Sequence, residues 1–236
     1  MPIKISSITQ LFRIPSPCVL CKQYHQNRLA VCLDCSQLLK PITSCCNYCA
    51  LPLPKSDFMI CGLCIKKPPY FDHTFAAFHF AEPLRSLLHK FKYNEGLYLT
   101  NFLGAMMLTR MPEKIAYSEC LIPVPLHPKR LHERGFNQTL ELCKYLTRQL
   151  KIPYDFSICH KIKQTKPQAG LNNQQRKSNL RGSFMATPSR YQHVTLVDDL
   201  MTTGSTANEL AKTLKKQGIA RVDVWCCARA NTPFIE

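Results

Sequence analysis

The sequence predicts an α/β fold: a parallel-sheet domain carrying helices, preceded by a small metal-stapled module. Three observations predict it. From residue 73 onward, apolar runs of strand length alternate with stretches whose apolar residues recur at helical spacing. Four C-x-x-C pairs crowd the first 64 residues. Between the two regions, Lys66-Lys67-Pro68-Pro69 forms a basic, proline-rich joint. The expected boundary follows from that joint, with a cysteine-rich module over residues 1–71 and the α/β domain over 72–236.

The elements follow in order. Residues 73–81 (HTFAAFHFA) are aromatic and apolar enough for a strand. Leu84, Leu87, Leu88 and Phe91 lie at i, i+3, i+4, i+7, which buries one face of a helix, and Leu99, Phe102, Leu103 and Met106 repeat the pattern. Residues 121–124 form a short strand weakened by Pro123, which cannot donate to a ladder. Phe136, Leu140, Cys143, Leu146 and Leu150 mark a helix of about four turns. The run at 194–197 suits a strand buried on both faces. Ala207, Leu210, Ala211 and Leu214 then line a helix that Gly218 stops, and residues 221–228 alternate as a last strand. Strand, helix and strand joined by short connections require parallel pairing.

Composition limits the function classes. With 45% hydrophobic residues the 236-residue chain can build a core, which excludes wholesale disorder. No apolar stretch approaches the roughly 18 residues of a membrane span. The N-terminus lacks an apolar h-region and a small-residue cleavage site, so the expectation is a soluble, cytoplasmic protein. The net charge of +16 sits in two blocks: 8 basic against 2 acidic residues over 1–71, and 12 against 3 over 120–182. Such blocks suit a polyanion or a phosphorylated small molecule.

Nine of the 14 cysteines fall in the first 64 residues, and eight of these form the pairs Cys18/Cys21, Cys32/Cys35, Cys46/Cys49 and Cys61/Cys64. Random placement would give about one such pair. In a reducing compartment the spacing reads as metal ligation, since each pair sets two thiolates on one turn. Eight thiolates satisfy two Zn²⁺ ions. A site filled by four thiolates has no open position, so the ions are structural. Sequential and interleaved pairing are both compatible with the order, although the segment reads as two copies of one unit. The spacing favours Cys46 over its neighbour Cys45. Tyr24, Tyr48 and Phe58 could stack on bases or form the module's own small core. Cys120, Cys143, Cys159, Cys226 and Cys227 read as small buried hydrophobes.

The most informative stretch is residues 194–206, VTLVDDLMTTGST. A buried strand delivers Asp198 and Asp199 to its carboxyl end. A turn of small hydroxylated residues follows, Thr202, Thr203, Gly204, Ser205 and Thr206, where a helix begins. Free amides at a helix start, the positive end of its dipole and nearby hydroxyls make an anion cradle. Carboxylates beside it suit sugar hydroxyls or Mg²⁺.

This stretch resembles the phosphoribosyl pyrophosphate (PRPP) motif of type I phosphoribosyltransferases. Two further segments, IPVPLHPKRLHERGFNQ at 122–138 and QTKPQAGLNNQQRKSNLRGSF at 164–184, join the C-x-x-C front in an order similar to the ComF family of competence-associated proteins. The similarity covers nearly the whole chain. It implies a zinc-binding front and a phosphoribosyltransferase-like fold. It also implies handling of incoming single-stranded DNA during natural transformation, in the company of other DNA-uptake proteins. On this sequence it assigns Asp198 and Asp199 a catalytic place at the ribose hydroxyls and Mg²⁺, and residues 202–206 the 5′-phosphate. The loop at 125–134, with His127, Lys129, Arg130 and Arg134, occupies the pyrophosphate position, which guanidinium forks suit.

Residues 160–182 hold six basic residues, Lys161, Lys163, Lys166, Arg176, Lys177 and Arg181, and no acids. Three roles are open to this loop: closure over a reacting centre, neutralisation of DNA phosphates, or plain solvation. Two functions follow from the whole. One is a DNA-handling competence factor with PRPP as ligand or regulator. The other is an active Mg²⁺-dependent phosphoribosyltransferase whose acceptor the sequence does not identify.

Overall fold

The computed structural model describes residues 15–54, 59–93, 96–164 and 180–231. In chain order the elements are β1 (Ser16–Pro17), β2 (Tyr24–His25), α1 (Leu33–Gln37), α2 (Gly62–Lys66), β3 (Thr74–His79), α3 (Leu84–Phe91) and α4 (Leu99–Leu108). After a 3₁₀ turn at Glu113–Tyr117 come β4 (Cys120–Pro123), α5 (Pro128–Arg134), α6 (Gln138–Leu150), β5 (Cys159–Lys161) and β6 (Phe184–Ala186). The chain then forms β7 (His193–Met201), α7 (Ser205–Lys215) and β8 (Arg221–Arg229).

The main sheet has the order β3-β8-β7-β4, and each of its pairs is parallel. Its two central strands are buried on both faces. Val197, Trp225 and Cys227 join one core with α3, α4 and α6. Their neighbours Leu196, Val224 and Cys226 join a second core with α7, β5 and β6. The alternation is the period of two that strand geometry imposes. Burying a side chain such as Leu88 or Phe91 completely contributes about 1.5–3 kcal/mol.

Four boundaries depart from the sequence expectations. Strand β4 forms despite Pro123 because it lies at the sheet edge and ends at the proline. Strand β7 runs four residues past Val197, since β8 keeps pairing with it through Leu200↔Ala228 and Met201↔Arg229. Asp198 and Asp199 are therefore inside the strand. Residues 128–134, expected as loop, form a helix. The His127 side chain accepts from the Lys129 amide, Pro128 supplies a pre-set φ at the first turn, and Gly135 ends the helix at φ 76°. Helix α7 stops at Lys215, and Gly218, at φ 93°, serves the turn beyond.

The cysteine-rich segment packs on this sheet. Cys18, Val31, Cys35 and Leu39 enter the core that holds α3 and α4. Pro41 bridges to Phe78, the Ile42 amide donates to the Ala77 carbonyl, and the His79 amide donates to the Lys40 carbonyl. Among the described residues, no helix is long and apolar enough to cross a membrane.

Candidate functional site

The eight paired cysteines resolve sequentially. Cys18, Cys21, Cys32 and Cys35 form one cluster and Cys46, Cys49, Cys61 and Cys64 the other, each with its sulfurs within 4.8 Å of one another. Both clusters share a plan. The residue after the first pair takes a left-handed conformation, Lys22 at φ 67° and Ala50 at φ 52°. Its amide donates back to the first cysteine's carbonyl. The second pair opens a five-residue helix, α1 after Cys32 and α2 after Cys61.

Tetrahedral zinc with Zn–S bonds near 2.3 Å needs sulfurs about 3.8 Å apart. Cys21 and Cys32 lie at 3.8 Å, and Cys49 and Cys61 at 3.7 Å. Burial pushes the Cys18 thiol up, but the Cys21, Cys32 and Leu20 amides outweigh it and bring it down to about 6. A hydrogen bond from Cys64 lowers the Cys49 thiol to about 5. Four soft ligands at tetrahedral spacing, with one thiol in each set held toward the ionised form, fit zinc. Cys45 lies outside both clusters. The five remaining cysteines are buried, as expected. Tyr48 packs against the second cluster, Tyr24 is 75% exposed, and Phe58 lies outside the described residues.

At the end of β7 the chain turns through Thr202, Thr203 and Gly204 into α7. An open cleft there is lined by Asp198, Met201, Thr202, Gly204, Ser205 and Thr206. Gly204 holds φ 76°, which an L side chain rarely adopts, and the ring of Phe71 would lie 3.7 Å from any Cβ placed there. Thr203 turns its hydroxyl to Ser205, 2.8 Å away, and accepts from the Ser205 amide at 3.3 Å. The first amides of α7 and the positive end of its dipole therefore face a small polar hollow.

The two acids divide. Asp198 faces the cleft, and its Oδ1 accepts from the Asp199 amide at 2.9 Å. Asp199, 3% exposed, turns to the opposite side, as strand neighbours do. There Lys92 Nζ lies 3.3 Å from its Oδ2, and Gln138 Nε2 donates to its Oδ1 at 3.4 Å. Gln138 in turn accepts from Arg134 Nη1 at 3.1 Å, linking the basic helix α5 to the acid pair. Burial first, and the Asp199 charge second, push the Asp198 carboxyl well above the usual carboxylate range. A cation or hydroxyl donors that take its ionised form would have to displace that proton.

The cations sort differently. Lys129 is exposed, while Arg130 and Arg134 are half-buried. Burial, then the Arg130 charge, lower the Lys161 amine to about 8, so the end of β5 lies in the electrostatic reach of α5. Lys161 also stands 5.6 Å over the Phe184 ring. Lys163 and Arg181 are exposed and joined by a 3.4 Å bond from the Lys163 amine to the Arg181 carbonyl. Lys166, Arg176 and Lys177 lie outside the described residues.

Three residues around the turn went unmarked in the sequence. Lys92 lies in the charge-balanced segment, and Gln138 merely closes the 122–138 segment. Arg229, 3% exposed at the end of an apolar strand, donates to the carbonyls of Cys49, Met201, Thr202 and Ala230.

No protein-family model matches the chain. It is 33% identical over 223 residues to Competence protein F of Haemophilus influenzae, covering 90% of this chain and 96% of that one. Against DNA utilization protein YhgH of Escherichia coli it is 31% identical over 226 residues, 93% of this chain and 99% of the other. Against Competence protein ComFC of Bacillus subtilis the identity is 24%, over 80% of each chain. Among solved structures, a glutamine PRPP amidotransferase from B. subtilis aligns with a TM-score of 0.36 at 15% identity, over 59% of this chain and 30% of that one. The fold assignment rests on the strand order and the paired cysteine clusters themselves. With identity above 30% running through nine-tenths or more of both sequences, this chain belongs to the family of Competence protein F.

Proposed function

We propose that this protein is a competence factor that handles incoming single-stranded DNA and binds PRPP with Mg²⁺ at the turn between β7 and α7. The cleft that brings Asp198 together with Thr202, Gly204, Ser205 and Thr206 carries the PRPP reading. In it the amides and hydroxyls of residues 202–206 receive the 5′-phosphate and Asp198 serves the ribose hydroxyls and Mg²⁺, while Asp199, on the strand's other face, holds Lys92 and Gln138. Lys129, Arg130 and Arg134 on α5 take the pyrophosphate. The relatives named for competence and DNA utilization support the biological role. Exposed Lys163 and Arg181 support contact with DNA phosphates, which neutralises charge without reading sequence.

Calorimetry with PRPP and Mg²⁺ tests the small-molecule site. Wild-type protein should bind, and the double variant Asp198→Ala, Asp199→Ala should not; equal affinity in both would end the assignment. For DNA, a fluorescence titration with a single-stranded oligonucleotide across a salt series should show affinity that falls steeply as salt rises. Weak binding even at low salt would refute it.

The Arg134–Gln138–Asp199 chain also favours a transferase reading, because it brings a guanidinium beside the carboxylates. There the bond from the anomeric carbon to pyrophosphate breaks, its electron pair leaves with pyrophosphate, and an acceptor attacks the carbon. Pyrophosphate release against a panel of acceptors separates substrate from regulator.

A further inference from the structure

The second cysteine cluster and the anion-binding turn meet at one side chain. Arg229 Nε donates to the Cys49 carbonyl at 2.8 Å, while its Nη1 donates to the Met201 carbonyl at 3.4 Å and to those of Thr202 and Ala230. A peptide group is planar and trans, so its N–H points opposite its C=O. Holding the Met201 and Thr202 carbonyls toward the guanidinium therefore aims the Thr202 and Thr203 amides away from it. Neither amide has an acceptor among the described residues. The turn is braced again from the same side, since the Phe71 ring backs Gly204 and the Tyr70 amide donates to Asn208 Oδ1 on α7 at 2.7 Å.

Charge argues in the same direction. Among the described residues, Arg229 has carbonyl partners and no carboxylate, a costly setting for a buried cation. Four thiolates around a divalent ion carry two net negative charges, and Cys49 brings them next to this guanidinium.

We propose that Arg229 is a positioning residue that couples the Cys46/Cys49/Cys61/Cys64 metal site to the turn at 202–206, so that metal in one and phosphate in the other strengthen each other. The inference rests on the phosphate reading of the turn. Reciprocity is a thermodynamic requirement: whatever factor the metal adds to anion affinity, the anion adds to metal affinity.

The test uses the full chain loaded with cadmium, whose NMR spectrum gives one resonance per cluster, with Cys21→Ser assigning the first by its loss. Saturating PRPP with Mg²⁺, or inorganic phosphate, should move the second cluster's resonance alone. Arg229→Lys, which keeps the charge but cannot span the carbonyls, should retain both resonances and abolish that movement. Amide hydrogen exchange read separately at the bonded amides of the turn, Ser205 and Asn208, should be about tenfold faster in Arg229→Lys. Should Arg229→Lys fail to fold, exchange at Ser205 and Asn208 in Cys61→Ser against Cys21→Ser decides, with acceleration expected in the former alone. A resonance shift that survives in Arg229→Lys, equal shifts at both clusters, or unchanged exchange at the turn would overturn the coupling. If neither PRPP nor phosphate binds the wild type, the phosphate reading fails and the exchange experiment alone judges the bracing role of Arg229.

Discussion

The first cysteine cluster and the second repeat one local design, a knuckle followed by a short helix, yet the fold spends them differently. Cys18 and Cys35 point into the core that carries α3 and α4, while Cys21 stays exposed. Among the described residues, the hydrogen bonds of those four cysteines stay within the segment from Cys18 to Leu38. The second cluster has a small core of its own with Leu51 and Tyr48, and reaches the sheet's carboxyl end through Arg229. One duplicated unit thus seals a face of the domain, and the other braces its turn. The lesson is that ligand spacing fixes the metal chemistry, whereas the residues around the ligands fix what the metal does for the protein.

The largest effect that could break this contrast comes from removing a ligand. Apparent zinc affinity of a four-thiolate site is worth about 10–16 kcal/mol, and in so small a segment it is folding energy. Cys64→Ser should cost one ion, measured by metal analysis, and open residues 44–67 to protease while the sheet remains folded. Cys35→Ser should also cost one ion, but it removes a residue from the main core and should lower the melting temperature of the whole domain. Equal global destabilisation by both variants would erase the distinction.

Packing sharpens it next. Leu39, 4% exposed, belongs to the main core, and Leu51, 5% exposed, to the second cluster's own. Leu39→Ala should cost about 2–5 kcal/mol in denaturant unfolding of the whole domain. Leu51→Ala should leave that transition nearly in place and instead speed metal release from the second cluster.

Protons give a third handle, on the turn side. Asp198 has its carboxyl raised well above the usual range, by burial and then by Asp199. A carboxyl raised in the folded state contributes stability that is complete below the unfolded pKa and is lost as pH rises through the folded one. Mg²⁺ and sugar hydroxyls take the ionised form, so binding expels the proton. PRPP affinity should therefore climb with pH, by at most about tenfold per unit, until Asp198 ionises unaided. Calorimetry in buffers of different ionisation enthalpy should show proton release, and Asp198→Asn should flatten the slope. Stripping the second cluster's metal should lower the whole curve without changing its slope; a changed slope would place thiols, not the carboxyl, in the titration.

Much of this architecture is legible in the sequence because its signals are local. C-x-x-C spacing places two thiols on one turn wherever it occurs, and the apolar period separates the buried strands from the amphipathic α3, α6 and α7. Residues 128–134 were harder, since a helix of seven with no buried residue has no apolar face to announce it, and His127, Pro128 and Gly135 are its only markers. Asp198 and Asp199 read as one pair by adjacency, while the pleat sends them to opposite sides. Gln138 meets Asp199 across 61 residues, and Arg229 meets Cys49 across 180. Polar partnerships of that range follow from the completed sheet and leave no periodic trace in the chain.

The smallest expected effect tests the brace from the turn's own side. Gly204 sits at φ 76°, and Gly204→Ala would place a methyl group 2.5 Å from Met201 Cε unless that flexible side chain moves. Met201 can swing away, so the backbone conformation sets the cost, about 1 kcal/mol for an L residue held left-handed. That corresponds to roughly a fivefold loss of PRPP affinity by calorimetry. If the turn and the second cluster form one braced unit, the same strain should reach the metal. Competition with a chromogenic chelator should then show the second cluster releasing zinc up to about fivefold faster, while the first keeps its rate. Equal acceleration at both clusters would mean that the substitution loosens the domain as a whole, and the contrast between the two clusters would reduce to one of burial.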